Sequence, residues 1–212
     1  LGKINALTLN LFDAMFYYYR CLKKEPENLY ANKALADILI ELQDYKEAIH
    51  ILKYIAKGTN DHSILYNLGL SYYQINNYKE SIKYLTQALL LNPEDFKNYY
   101  YLGLAYKSDK LYKQSLDAFK KCISLNSNWG LAHYELGLIY GITLNDDLAI
   151  KHFELAKRNE TFDDLNYKLG MLYYKNQNFI KAMKPLKEYL LQHMKDYDTM
   201  KIMGEIFLST NR

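Results

Sequence analysis

Five histidines, His50, His62, His133, His152 and His193, are the side chains best suited to proton transfer or metal ligation near neutral pH. They are scattered along the chain, and no nucleophile, base and acid combination stands out around any of them. His133 falls at a helical packing position, where a neighbouring side chain is its expected contact. The acidic pairs Asp146-Asp147 and Asp163-Asp164 stand at expected helix starts, where carboxylates favour the positive end of the helix dipole. Cys21 and Cys122 lie far apart and read as two small buried apolar side chains rather than a disulfide framework. There is no glycine-rich phosphate loop, no HExxH and no paired CxxC. The sequon Asn159-Glu160-Thr161 has no secretory signal to support it. A non-catalytic protein is therefore expected, with no metal and no cofactor.

Bulk properties point the same way. Of 212 residues, 50% are apolar, ample for a core, while 3 Pro and 9 Gly leave room for long helices. A net charge of +3 is too weak to argue for nucleic acid or an anionic membrane. No apolar run approaches the length of a membrane helix. The 23 tyrosines suit a fold with much half-buried surface, since a tyrosine has a ring to bury and a hydroxyl that wants a partner.

The elements that position these residues recur. Gly69, Gly103, Gly137, Gly170 and Gly204 are spaced by 34, 34, 33 and 34 residues. Four of them share one pattern: Leu68-Gly69-x-x-Tyr72, Leu102-Gly103-x-x-Tyr106, Leu136-Gly137-x-x-Tyr140 and Leu169-Gly170-x-x-Tyr173. The last copy is Met203-Gly204-x-x-Phe207. A small residue follows further on (Ser81, Ser115, Ala149, Ala182), and four positions later a large one (Leu85, Phe119, Phe153, Leu186). Leu35-Ala36-x-x-Leu39 with Ala48 and Leu52, and Leu1-Gly2 with Ala14 and Tyr18, extend the series towards the start. This spacing places one apolar face on each of two helices per unit, with the small residues where the two backbones approach. Turn residues separate the two: Gln43-Asp44, Asn76-Asn77, Asp109-Lys110, Asn145-Asp146 and Asn176-Gln177-Asn178.

The period and pattern resemble the tetratricopeptide repeat, best in the copy with Leu65, Leu68, Gly69, Tyr72, Ser81, Leu85, Ala88 and Pro93. The resemblance covers essentially the whole chain. It implies an all-α fold, a right-handed superhelical solenoid of antiparallel helix pairs. Numbering each repeat so that this glycine is position 8 divides the chain into a partial repeat 1–28, whole repeats 29–61, 62–95, 96–129, 130–162 and 163–196, and a terminal helix 197–212. That last helix is the first of a further repeat or a cap. The start inside a repeat reads as that of an excised fragment.

Two repeats, 29–61 and 130–162, are one residue short and carry Gly58 and Asn159 where Leu91 and Leu125 stand elsewhere. Altered packing is expected near Gly58–Asp61 and Asn159–Asp163, unless a tighter turn absorbs the missing residue. Pro185 should kink the second helix that contains it, by depriving the Lys181 carbonyl of its donor. Asp146 replaces the aromatic residue found at Tyr45, Tyr78, Tyr112 and Phe179, so that turn should be less firmly anchored.

The resemblance also implies a function. First helices of such arrays line a concave groove that binds a peptide or helical segment of a partner protein. The positions carried over are Lys33, Asp37, Tyr66, Leu70, Tyr73, Tyr100, Leu104, Lys107, Tyr134, Leu138, Tyr167, Met171 and Tyr174. Their centre is apolar and aromatic, as peptide-binding surfaces are. The row Leu70, Leu104, Leu138 and Met171 is the sharper signal, because tyrosines at these positions also pack between helices. Leu104→Glu is expected to weaken partner binding without unfolding the array.

Co-chaperone members grip a C-terminal carboxylate with a five-residue clamp. The corresponding residues here are Lys33, Asp37, Asn67, Lys97 and Tyr101. Asp37 sets a negative charge where the ligand carboxylate would sit, and Tyr101 removes a bidentate cation, so clamp function is disfavoured. The leading expectation is an interaction scaffold in a multiprotein assembly, soluble, with the cytoplasm the favoured compartment. The alternative is the regulatory or substrate-docking region of a larger enzyme. Self-association through the terminal repeats is a further expectation.

Overall fold

Each helix hairpin turns on one left-handed residue. Gln43, Asn76, Lys110, Leu144 and Gln177 have φ between 57° and 63° and stand at the same place in successive units. An Asp or Asn follows four of them and caps the next helix: Asp44 accepts from Glu47 N, Asn77 from Glu80 N, Asn145 from Leu148 N and Asn178 from Lys181 N, at 3.3 to 3.4 Å. In the fourth turn the left-handed residue is Leu144, one place earlier than the Asn145-Asp146 pair suggested.

The computed structural model describes the backbone of residues 2–210 and the side chains of residues 10–210. Among the described residues there are twelve helices and no strand: α1 (Gly2–Lys24), α2 (Leu29–Glu41), α3 (Tyr45–Ala56), α4 (His62–Gln74), α5 (Tyr78–Leu91), α6 (Phe96–Ser108), α7 (Tyr112–Leu125), α8 (Gly130–Ile142), α9 (Asp146–Asn159), α10 (Leu165–Lys175), α11 (Phe179–Gln192) and α12 (Tyr197–Thr210). The fold is an all-α solenoid of helix pairs. It divides into two compact units, one up to Ala118 and one from Phe119, and the division falls inside α7.

Leu1, which opens the expected partial copy, lies outside the described residues. The rest of that copy is one helix, α1, without the turn that a helix pair would need.

Within a pair the helices meet through the small residues. A Cβ on Gly69 would come 2.5 Å from Leu85, on Gly137 2.5 Å from Phe153, and on Gly170 2.5 Å from Leu186. Leu85 and Leu186 are wholly buried and Phe153 nearly so. Each such side chain stabilises the fold by about 1.5–3 kcal/mol relative to exposure. Where the second small residue is serine it does more than fit: Ser81 Oγ donates to Gly69 O at 2.8 Å and Ser115 Oγ to Gly103 O at 2.7 Å. The spacing revealed the close approach but not these bonds.

The loops leading into α4 and α10, 57–61 and 160–164, have five residues, against four in 92–95, 126–129 and 193–196. In repeat 29–61 the second helix is the shorter one, α3 having 12 residues against 14 in α5, whereas in repeat 130–162 both helices keep their length and it is α10, in the repeat that follows, that is short at 11. A recess lined by Tyr54, Ile55, Gly58 and Thr59 opens at the first loop, and a polar one lined by Lys157 to Thr161 at the second.

Pro185 lies inside α11 without ending it, and Ala182 and Leu186 beside it are anchored in the core with Ile206. Asp146, which takes the place of the aromatic residue, forms an ion pair with Lys175 at 2.7 Å. Asp164 makes no side-chain capping bond to α10 and binds Lys168 at 2.9 Å instead.

Candidate partner-binding face

In the unit that ends at Ala118, α4 packs beside both α2 and α6. The spacing of Tyr66, Leu70 and Tyr73 puts all three on one side of α4. Tyr101 of α6 is the hub of the aromatic cluster here. Its ring meets Tyr66 at 6.0 Å, Tyr73 at 6.4 Å and Tyr100 at 5.4 Å, each edge to face. Burial, with Tyr101 and Asp95 nearby, pushes the Tyr66 hydroxyl well above the usual phenol range. Tyr66 also stacks on His62, whose Nε2 lies 3.0 Å from Asp95. Leu70 is half-buried in the same helix. Sequence reasoning placed Tyr101 only as a departure from the clamp. The run Tyr99-Tyr100-Tyr101, with one ring on each of several faces, was the signal that could have found it.

Leu104 does not belong to an open surface. It is only 8% exposed and sits in the packed layer of α6. Leu104→Glu would bury a carboxylate and unfold the region rather than probe binding. Tyr100 and Lys107 are half-buried on α6.

The clamp positions are committed elsewhere. Lys33 Nζ binds Asp61 at 2.8 Å, and this bond holds the Asp61 carboxyl at about 2. Asn67 Nδ2 donates to Asp37 at 2.7 Å. Burial raises the Asp37 pKa, partly offset by Lys33 and Asn67. These bonds join α2 to α4 and its cap, so Lys33 and Asp37 work as ties between repeats.

The unit from Phe119 uses its tyrosines differently. Tyr134 donates to both oxygens of Asp164, at 2.8 and 2.9 Å, and stacks on Phe162 at 4.3 Å. Burial pushes Asp164 up, but Lys168 and Tyr134 together outweigh it and hold its carboxyl below the usual range. Tyr174 donates to Glu205 at 2.6 Å, and Tyr167 packs on Tyr189 at 5.1 Å. Met171 and Tyr174 pack against the core cluster around Leu186 and Ile206. Leu138 is half-buried.

His133, expected to be a packing residue, is 4% exposed and has a partner that the sequence did not reveal. Its Nε2 lies 3.1 Å from Ser127 O, and its Nδ1 lies 2.9 Å from His152 Nδ1. The carbonyl can only accept, so neutral His133 donates from Nε2 and accepts at Nδ1 from His152. Burial, then unfavourable interaction with His133, Lys151 and Lys120, pushes His152 down to about 4.

A family model described as "Anaphase-promoting complex, cyclosome, subunit 3" matches residues 9–88, and one described as "Tetratricopeptide repeat" matches residues 66–128. The chain is a tetratricopeptide repeat protein. No curated protein matches it. Among solved structures, the tetratricopeptide fold is shared with MamA, at 26% identity and a TM-score of 0.69 over 75% of this chain and 94% of that one. PilF of Pseudomonas aeruginosa matches at 19% identity and a TM-score of 0.78, over 97% of this chain and 94% of that one. YrrB, described as a TPR protein with an unusual peptide-binding site, matches at 18% identity and a TM-score of 0.71, over 88% of this chain and 97% of that one. Tetratricopeptide families are in general interaction modules rather than catalysts, and the fold is one of protein–protein scaffolding. Among the described residues no helix is long and apolar enough to cross a membrane.

Proposed function

We propose that this tetratricopeptide protein is a non-catalytic scaffold that binds a peptide or helical segment of a partner protein, within a multiprotein assembly. The binding face is that of α4 and α6 in the unit ending at Ala118, centred on Leu70. One observation carries this reading: the half-buried Leu70 lies between Tyr66 and Tyr73 on a helix whose rings converge on Tyr101. Rigid aromatics lose little side-chain entropy on contact and give a partner both apolar area and hydroxyl groups to meet. The likeness to YrrB supports a peptide as the partner class.

Cross-linking tests the assignment. Peptides would be selected from a random display library against the full chain, and a photoreactive phenylalanine placed at Tyr73 or at Tyr54. Tyr54 is 46% exposed on α3, where it lines a recess with Leu29 and Gly58. Selected peptides should cross-link from position 73 and not from position 54. Cross-linking from position 54 alone would refute the assignment.

A further inference from the structure

We propose that the face of α4 and α6 takes a proline-rich segment of the partner protein in the polyproline II conformation, an inference that rests on the binding face assigned above and names what it binds. Two hydroxyl groups point to this ligand. The rings of Tyr66 and Tyr101 meet edge to face at 6.0 Å, and among the described residues neither phenol has a hydrogen-bond partner. Burial raises both phenols above their ordinary range, so each stays a neutral O–H donor, and neither hydroxyl is sealed from solvent. The carboxylates around them are engaged. Lys33 binds Asp61, Asn67 binds Asp37, and Asp95 is bound by His62 and by the first turn of α6. The face therefore offers open donors and few open acceptors.

That pattern chooses between ligand shapes. A helix has its carbonyls bound in its own ladder, so an apolar helical side laid here would cover both hydroxyls and pair neither. Proline brings no N–H that needs an acceptor. A polyproline II segment makes no internal hydrogen bonds, so its carbonyls are open to the two phenols. Its proline rings pack on aromatic side chains. Spacing agrees with this. Tyr66 and Tyr73 stand seven residues apart on α4, about 10.5 Å along the axis, and one polyproline II turn of three residues rises about 9.3 Å. Prolines three places apart thus meet Tyr66 and Tyr73 in turn, with Leu70 beneath the residues between them.

Two labelled peptides test this by fluorescence anisotropy with the full chain. One is built from Pro-Pro-Leu triplets. The other is an amphipathic helix of leucine and alanine with the same number of leucines, and both end in lysines for solubility. The proline-rich peptide should bind about tenfold or more tightly than the helix. The double change Tyr66→Phe with Tyr101→Phe keeps both rings and removes both hydroxyls. It should weaken the proline-rich peptide about fivefold or more, and leave both the affinity for the helix and the thermal midpoint nearly unchanged. Equal or tighter binding of the helix, or no binding of the proline-rich peptide, would overturn the choice of ligand. Loss of the helix's binding on Leu70→Glu would then show that the face itself stands. Proline-rich binding that survives both Leu70→Glu and the double phenylalanine change would overturn the face and the inference together.

Discussion

The two units place tyrosine at the same repeat positions and use it for different ends. Tyr66 and Tyr100 stand where Tyr134 and Tyr167 stand in later repeats. In the first unit the rings meet other rings around Tyr101. In the second, Tyr134 is bound to Asp164 and stacked on Phe162, and Tyr174 is bound to Glu205. A tyrosine hydroxyl held by a carboxylate of the next repeat is a structural tie, whereas the cluster of edge-on rings beside the half-buried Leu70 is the face proposed for partner contact. The residue type does not choose between these roles. The contact made does: Tyr134 hydrogen-bonds Asp164, whereas Tyr66, with Asp95 nearby, packs against the rings of His62 and Tyr101.

The largest expected effect that bears on this contrast is Tyr134→Ala. It removes a stacked ring and leaves Asp164 with Lys168 alone, and should cost about 2–4 kcal/mol. Trp129, the single tryptophan, reports this unit by fluorescence during denaturant unfolding. Tyr73→Ala should cost less, about 1–2 kcal/mol, and show its effect in partner binding instead. Equal losses would erase the contrast.

Glycine sharpens the contrast between filled and open packing. Gly137→Ala drives a methyl into the Phe153 ring, which is 2% exposed and has nowhere to go. It should destabilise by about 1–3 kcal/mol despite the better helix propensity of alanine. Gly204→Ala meets open space and should stabilise by about 0.5–1 kcal/mol. Thermal denaturation of both variants checks the pair of signs.

Acid should separate the units. His152 is held neutral with a pKa of about 4, while in the unfolded chain it titrates near about 6.5. As pH falls through that window the unfolded state binds a proton that the folded state refuses, so the unit from Phe119 loses stability and the loss levels off below about 4. After discounting for partial solvent exposure this amounts to about 1–2 kcal/mol. The Lys33–Asp61 tie in the other unit behaves differently. The Asp61 pKa is lowered to about 2, so its contribution persists until pH drops below about 4. Trp129 emission should therefore shift at higher pH than far-ultraviolet circular dichroism does. Coincident curves would contradict this.

The smallest effect concerns a turn. Leu144 is left-handed at φ 58° and 79% exposed, a conformation that costs a leucine energy. Leu144→Asn should stabilise by about 0.5–1 kcal/mol, measured by chemical denaturation.

Much of this architecture was legible in the sequence because the restraints are local and recur. The spacing of Gly69, Gly103, Gly137 and Gly170, and the small residues that follow them, encode helix contact directly. The short repeats were visible for the same reason, in the absent leucine at Gly58 and Asn159. What escaped depends on geometry between repeats. Leu104 looked like its equivalents Leu70 and Leu138, yet it is buried in α6. His152 is 19 residues from His133, a separation that carries no periodic signal. The Asp146–Lys175 pair sets an ion pair where other repeats carry an aromatic residue, which a pattern of apolar positions cannot register.

The most direct measurement of the central claim compares Leu70→Glu with Leu138→Glu. The two leucines occupy the same repeat position, are both half-buried and belong to different units. Affinity for a peptide selected against the full chain should fall about tenfold or more with Leu70→Glu and stay within about twofold with Leu138→Glu. The opposite ranking, with both variants folded, would contradict the assignment of the binding face to α4 and α6.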